Sequence, residues 1–196
     1  MKRVLAIFII LMLLFLSLFG CSKNKNKENG DAVSADENNI ETEQQEESKD
    51  TNQVKYLDYA VYLKHKDIPY LFGERFEIKS NDPILNEKRI EEIALEKLFG
   101  YDKGSFESPV PKDTKILGLE KEGSTVYLDL SKAFIDNMPK DGTLTQMALD
   151  AIVNTLTFFP ENEKVVIKVE GESIKELNGV RLDKDFSFSS EFIPDK

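Results

Sequence analysis

Few side chains in this sequence could do chemistry. There is one Cys and one His, so an internal disulfide and a cysteine zinc site are both excluded. A nucleophile-and-base arrangement would have to run through His65. That residue lies in Lys64-His65-Lys66, at the end of an expected strand, where two flanking cations oppose its protonated form. It reads as a solvated histidine. Paired carboxylates could serve glycoside hydrolysis, yet pairs such as Glu91/Glu92 and Asp136/Asp141 fall on expected solvated faces or loops. The run Asp136-Asn137-Met138-Pro139-Lys140-Asp141-Gly142 is rich in oxygen ligands. It lacks the Asp-x-Asp-x-Asp-Gly spacing and the distant Glu of a calcium loop. Neither a phosphate loop nor a dinucleotide fingerprint is present. No catalytic residue, metal or cofactor is expected. A formal charge of −10 makes the chain a poor partner for nucleic acid.

The position of Cys21 is the most informative single feature. Lys2 and Arg3 give a basic start, and Val4 to Phe19 is apolar except for Ser17. This is the pattern of a signal peptide over residues 1–20. As a helix the apolar run would rise about 24 Å, short of the ~30 Å hydrocarbon core. Leu18-Phe19-Gly20-Cys21 resembles the bacterial lipobox, in which the Cys after a small residue is lipidated and becomes the new N-terminus. Phe19 is bulkier than the Ala or Ser common at its place. The resemblance implies lipidation of Cys21 and a membrane partner reached through the lipid. Two or more acyl chains, at ~0.8 kcal/mol per buried CH₂, anchor stably where one is marginal. The alternatives are an ordinary secreted protein and an uncleaved anchor with an incidental Cys.

Residues 21–53 read as the lipidated Cys and an acidic tether. From Ser22 to Gln53 there are four Lys against nine Asp or Glu, and the apolar residues are Ala32, Val33, Ala35 and Ile40. So little apolar surface cannot offset the entropy of ordering, and disorder is expected. A flexible chain of this length spans about 30 Å r.m.s..

The folded domain is expected over residues 54–196, long enough to bury its own core. Leu57, Tyr59, Val61 and Leu63 alternate with polar neighbours, which predicts a strand over Tyr56–Lys64. Tyr70–Lys79 is expected as its partner, across a turn at Lys66–Pro69. Asp82 can cap a helix with Pro83 at its first position. The stripe Leu85, Ile90, Ile93, Ala94 and Leu98 carries that helix to Gly100, with Glu87, Lys88, Glu91, Glu92 and Lys97 outside. After a loop containing Pro109 and Pro111, strands are expected at Lys115–Lys121 and Thr125–Leu130, joined through Glu122-Gly123-Ser124. Ser131 is placed to cap a short turn of helix. Thr143-x-x-Gln146 has the form of a capping box, with Leu144, Met147, Ala148, Ala151, Ile152 and Leu156 facing the core. Pro160 stops this helix, and Lys164–Glu170 is a further strand. Beyond Glu172 the sequence reads as an irregular or weakly helical piece and an extended tail. The fold class is α+β: a single domain with a mixed β-sheet and two helices on one face.

Three stretches together resemble the GerMN domain of sporulation and germination proteins and other bacterial envelope lipoproteins. They are Ile116-Leu117-Gly118 running to Val126-Tyr127-Leu128-Asp129-Leu130-Ser131, then Ala151-Ile152-Val153-Asn154-Thr155-Leu156-Thr157-Phe158-Phe159-Pro160, then Val165 to Gly171. The helix over Asn86–Leu98 and the Pro111-x-x-Thr114 step fall where that family has its own. The resemblance implies a β-α-β-β-α-β core like that of ring-building modules, here with an extra N-terminal strand. It also implies protein interaction at the membrane–wall interface rather than catalysis. The best-known sporulation members carry two such units; this chain carries one. From their own chemistry, Asp129, Ser131, Asn154 and Thr155 can bond nearby backbone groups. Phe159 and Pro160 can close the second helix against the sheet.

The functional expectation is a lipid-anchored adaptor on the extracytoplasmic face of a bacterial cell membrane. Its partners would be an envelope protein or a second copy of itself. One alternative is a module binding peptidoglycan or other carbohydrate, with Tyr56, Tyr59, Tyr62, Tyr70, Phe72 and Phe76 as a stacking platform. The other is a wall hydrolase.

Overall fold

The computed structural model describes residues 54–195. The expected signal segment, the lipobox Leu18-Phe19-Gly20 with Cys21, and the tether lie outside the described residues. Strand β1, Tyr56–His65, pairs antiparallel with β2, Leu71–Lys79, in a register running from Tyr56↔Lys79 to Lys64↔Leu71. Tyr59, Val61 and Leu63 face the core as their alternation predicts, whereas Leu57, expected on the same face, is exposed near the start of the strand. Val61 and Leu63 are fully buried, and Tyr59 stacks on Phe76 with centroids 5.6 Å apart. Gly73 lies opposite Tyr62, whose ring comes within 3.4 Å of where a Cβ would stand.

The helix expected from Pro83 onward is broken in two. Asp82 does cap, accepting the Ile84 N–H at 3.0 Å, but only for a 3-10 turn over Pro83–Asn86. Helix α1 starts afresh at Ile90 and runs to Phe99. Arg89 is extended there, with ψ 154°, and the Glu92 carboxylate accepts its N–H at 3.0 Å. That is the reciprocal half of a capping box. It satisfies an N-terminal donor and sets an anion at the positive end of the helix. Glu91, expected on the outer face, is instead buried.

A region expected as loop holds a small hairpin. β3, Asp102–Lys103, and β4, Phe106–Glu107, turn about Gly104 at φ 58°. Strand β4 pairs with the end of β1 at Lys64 and His65. Two-residue strands are too short to show alternation.

β5, Ile116–Glu122, and β6, Thr125–Leu130, form the expected hairpin, turning through Gly123 at φ 60°. A bulge lies between Ile116 and Gly118. Ser131, expected to cap the next turn, does not do so with its hydroxyl. That hydroxyl accepts the Lys115 N–H at 3.0 Å, and the Ser131 carbonyl takes the Phe134 N–H of the short helix α2, Ala133–Asp136.

Helix α3, Gly142–Leu156, is capped by Asp141 and not by Thr143. The Asp141 carboxylate accepts the Leu144 N–H at 3.0 Å. Gln146, the other half of the expected capping box, donates to Asp150 at 2.6 Å. An anionic cap one residue before Gly142 satisfies the helix start and its dipole together. Burial also differs from a single apolar stripe, because α3 is buried nearly all round from Met147 to Leu156. β7, Lys164–Val169, then runs parallel to β6.

The α+β class and the β-α-β-β-α-β order are as expected. The strands, however, are hydrogen-bonded not as one sheet but as two main ones, β2-β1-β4-β3 and β5-β6-β7, beside a separate two-stranded hairpin. The reason lies at the edge of β1. Past its short contact with β4, that edge meets α3, and the Tyr62 N–H donates to the Thr155 hydroxyl at 3.1 Å. Val126, Leu128, Leu130, Val165 and Ile167 from the second sheet join one core with β1, α1 and α3. The piece after Glu172 is neither irregular nor helical. β8, Glu176–Leu177, and β9, Val180–Arg181, form a hairpin turned by Asn178 and Gly179, both at positive φ. Asn-Gly is the pair that such a two-residue turn favours.

Candidate interaction surface

The outer face of β5-β6-β7 is the open side of the second sheet. Period-two alternation sends Val126, Leu128 and Leu130 inward and leaves Tyr127 and Asp129 half-buried on the other side. The bulge in β5 pushes Leu117 out, 51% exposed. Leu117, Gly118, Glu120, Tyr127, Asp129 and Lys168 surround a shallow cavity of about 240 Å³. The Lys168 ammonium stands 5.9 Å over the Tyr127 ring, a cation–π arrangement that leaves both groups half-exposed. This face thus presents an apolar side chain, an aromatic ring and both signs of charge. It can dock a surface of mixed character, and it holds no paired acid and base.

A second cavity of about 310 Å³ lies between α1 and the start of β5, lined by Glu96, Phe99, Thr114, Lys115 and Ile116. Thr114, which lines it, ends the Pro111-x-x-Thr114 turn. The buried Thr114 hydroxyl donates to the Pro111 carbonyl at 2.7 Å, and Asp113 takes φ 65° to close the turn.

The residues singled out from the motif are placed as follows. Asp129 accepts the Gly171 N–H at 2.9 Å, tying the end of β6 to the turn after β7. Ser131 holds Lys115. Thr155 meets the edge of β1. Asn154 is fully buried; its Nδ2 donates to the Ser189 carbonyl at 2.7 Å and its Oδ1 accepts the Ser189 N–H at 2.9 Å. Phe159 is buried, and Pro160 follows the helix end at Thr157. The six do not converge on one cleft: Asn154 and Thr155 sit on α3, while Asp129 and Ser131 lie at the end of β6.

His65 is half-buried at the strand end. Its ring packs 5.4 Å from Phe106 and 6.0 Å from Phe72, and its Nδ1 accepts the Asp67 N–H at 3.1 Å. Its flanking cations are paired, Lys64 with Glu107 and Lys66 with Asp102, each at 2.7 Å. The hydrogen bond and charge of Lys66 hold the Asp102 carboxyl below its ordinary range. Asp136 pairs with Lys132. Among the described residues no group of His, Cys, Asp and Glu is arranged to hold a metal ion. The six aromatic residues do not form one platform. Tyr59 is buried, and the exposed Tyr56 and Tyr70 stand at opposite ends of the β1–β2 hairpin.

One polar cluster escaped the sequence reading. Asp150 is buried between Gln146, at 2.6 Å, and the Ser189 hydroxyl, at 2.7 Å. Burial raises its carboxyl above the ordinary value of 3.8, opposed by these two bonds and by Lys184. The spacing of Gln146, Asp150 and Asn154 at i, i+4 and i+8 was visible in the sequence.

The fold and this surface define a GerMN-type α+β module. The chain belongs to the Germane family, described as sporulation and spore germination, whose model matches residues 61–175. The tandem GerMN domains of the sporulation protein GerM from Bacillus subtilis are 22% identical with a TM-score of 0.55, over 68% of this chain and 46% of that one. The chain therefore spans under half of that tandem structure. The first GerMN domain of the same protein is 21% identical with a TM-score of 0.53, over 68% of this chain and 97% of that one. A Clostridium perfringens protein provisionally classed as a lipoprotein, solved at 2.5 Å, is 28% identical with a TM-score of 0.46, over 67% of this chain and 87% of that one. No curated protein sequence matches. Among the described residues no helix is long and apolar enough to cross a membrane.

Proposed function

We propose that this protein is a lipid-anchored interaction module that works at the outer face of a bacterial membrane, in the sporulation or germination setting of its family. The domain takes up residues 54–196, behind a signal peptide over 1–20 and a tether from Cys21 to residue 53. The observation that carries this reading is how the motif side chains are used. Asp129, Ser131, Asn154 and Thr155 are each bonded to backbone groups of their own fold. The exposed chemistry is left to the sheet face around Leu117 and Tyr127. Such an arrangement supports docking rather than turnover. Lipidation at Cys21 would confine the domain near the membrane, and the tether would set its reach at about 30 Å. Confinement raises the effective concentration seen by an envelope partner without any new contact.

The test is crosslinking in cells followed by mass spectrometry, with Cys21→Ala as the control. A reproducible protein neighbour that disappears in the control is the expected result. Recovery of glycan adducts alone would overturn the adaptor reading in favour of wall binding or hydrolysis.

A further inference from the structure

Residues 183–195 cross α3 as a strap whose only strand-like pairing is one bridge at Phe186. Phe186 exchanges two backbone bonds of 2.8 Å with Val165 on β7, and the Phe192 carbonyl accepts the Leu71 N–H of β2 at 2.8 Å. Between these anchors the strap is held by polar groups. Ser189 receives the two-point contact of Asn154, and its hydroxyl donates to Asp150. Gln146, Asp150 and Asn154 stand four residues apart, so they line one face of α3. Elsewhere α3 contacts the core through Met147, Leu149, Ile152 and Leu156, all fully buried.

An apolar core face uncovered in water is penalised over its whole area. An amide and a carboxylate uncovered in water are hydrated again. Removing the strap therefore exposes the contacts of Phe186, Phe192 and Ile193 and the edge contact of Phe188 on Tyr62, while the polar row regains solvent. The family match stops at residue 175, before the strap begins.

We propose that residues 183–195 form a detachable strap that leaves α3 as a unit while the rest of the domain stays folded. The strap occupies an extended-peptide groove that α3 reads through the amide of Asn154. A side-chain amide that both donates to and accepts from one backbone residue recognises extended chain, whatever its side chain. The occupant in this molecule is the chain's own segment, in cis, so the groove is free only in the open fraction.

Native-state hydrogen exchange on the intact protein tests this. The amides of Ser189, Phe186, Val165 and Leu71 report the strap, and those of Val126 and Leu128 on β6 report the core. The strap amides are expected to exchange together and at least tenfold faster than the core pair. Ser189→Ala removes the hydroxyl bond to Asp150 and the longer bond that the same hydroxyl accepts from the Glu191 N–H within the strap, and leaves α3 intact. It is expected to speed the strap amides about tenfold, the scale of one charge-assisted hydrogen bond, with the core pair unchanged. Asn154→Ala is expected to act in the same direction and further. Strap amides as protected as Val126 and Leu128 would overturn the proposal. So would a Ser189→Ala variant that accelerates strap and core equally, since the strap would then open only with the whole fold.

Discussion

Asp150 shows how a single buried carboxylate couples the fold to pH. Its folded-state pKa is raised by burial, against the pull of Ser189, Gln146 and Lys184. The unfolded chain releases the same proton near the ordinary value of 3.8. This group therefore favours the fold at low pH, and its contribution is lost as pH rises from that value through the raised one. Asp150→Asn keeps both bonds, since an amide can accept from Gln146 and donate to the Ser189 oxygen. Its stability relative to the parent should rise as pH climbs from about 3.8 through the raised value. Denaturant midpoints that shift in parallel across that range would refute the assignment. Thr155 makes a different point, because its hydroxyl is the acceptor that the edge of β1 finds in place of another strand. Thr155→Val conserves the shape and strands the Tyr62 N–H, which should cost about 1–3 kcal/mol. Thr155→Ser, measured alongside, should retain more of that stability.

The helices show how caps divide a sequence that an apolar stripe would leave whole. One stripe runs from Leu85 to Leu98, yet the chain makes a turn and then a helix, because Glu92 reaches back to Arg89. In α3 two candidate caps compete two residues apart. Asp141 holds the Leu144 N–H, while Thr143 is exposed and already helical. Asp141→Ala should therefore cost about 1 kcal/mol and Thr143→Ala only a few tenths. Chemical denaturation of the two variants decides between them, and equal losses would return the cap to Thr143. Gly142 adds a constraint, since a Cβ there would stand 2.9 Å from the Asn178 carbonyl. The start of α3 and the β8–β9 turn are built to touch, and Asn178 also donates to the Thr145 hydroxyl at 2.9 Å.

At the scale of the whole molecule, two sheets share one core. Leu63 comes from the first sheet and Leu128 from the second, and both are fully buried in the same cluster. A shared core of this kind predicts one cooperative transition. Leu63→Ala and Leu128→Ala should each lower stability by about 2–5 kcal/mol and shift a single unfolding curve. Two separated transitions, with each variant moving only one, would show that the sheets fold apart. The exposed face of β5-β6-β7 lies outside this core, so Leu117→Ser should leave the transition within about 0.5 kcal/mol of the parent.

The strands β1, β2, β5, β6 and β7, the existence of both main helices and the α+β class were legible from alternation, stripes and turn residues. Each of these signals is local and repeats over several residues. The motif residues were legible as bonding groups but not as partners of particular atoms. The hairpin at Asn178-Gly179 was not read from the sequence despite its turn residues, because its two-residue strands are too short to alternate. What the sequence could not display is where a side chain's partner arrives from. Glu91 carries the charge of a surface residue and is buried. His65 looks fully solvated between two lysines, yet Phe72 and Phe106 from other strands pack against its ring and leave it half-buried. Gln146, Asp150 and Asn154 would read as the wet face of an amphipathic helix. Only the folded chain brings residues 183–195 across them, because burial of a polar face depends on a covering segment far away in sequence. The chain by itself determined its local elements, its acidic surface and the Cys21 motif. The division into two sheets and the covering of α3 were decided by tertiary contacts, where a hydroxyl or an amide supplies the hydrogen bond that a strand would otherwise have made.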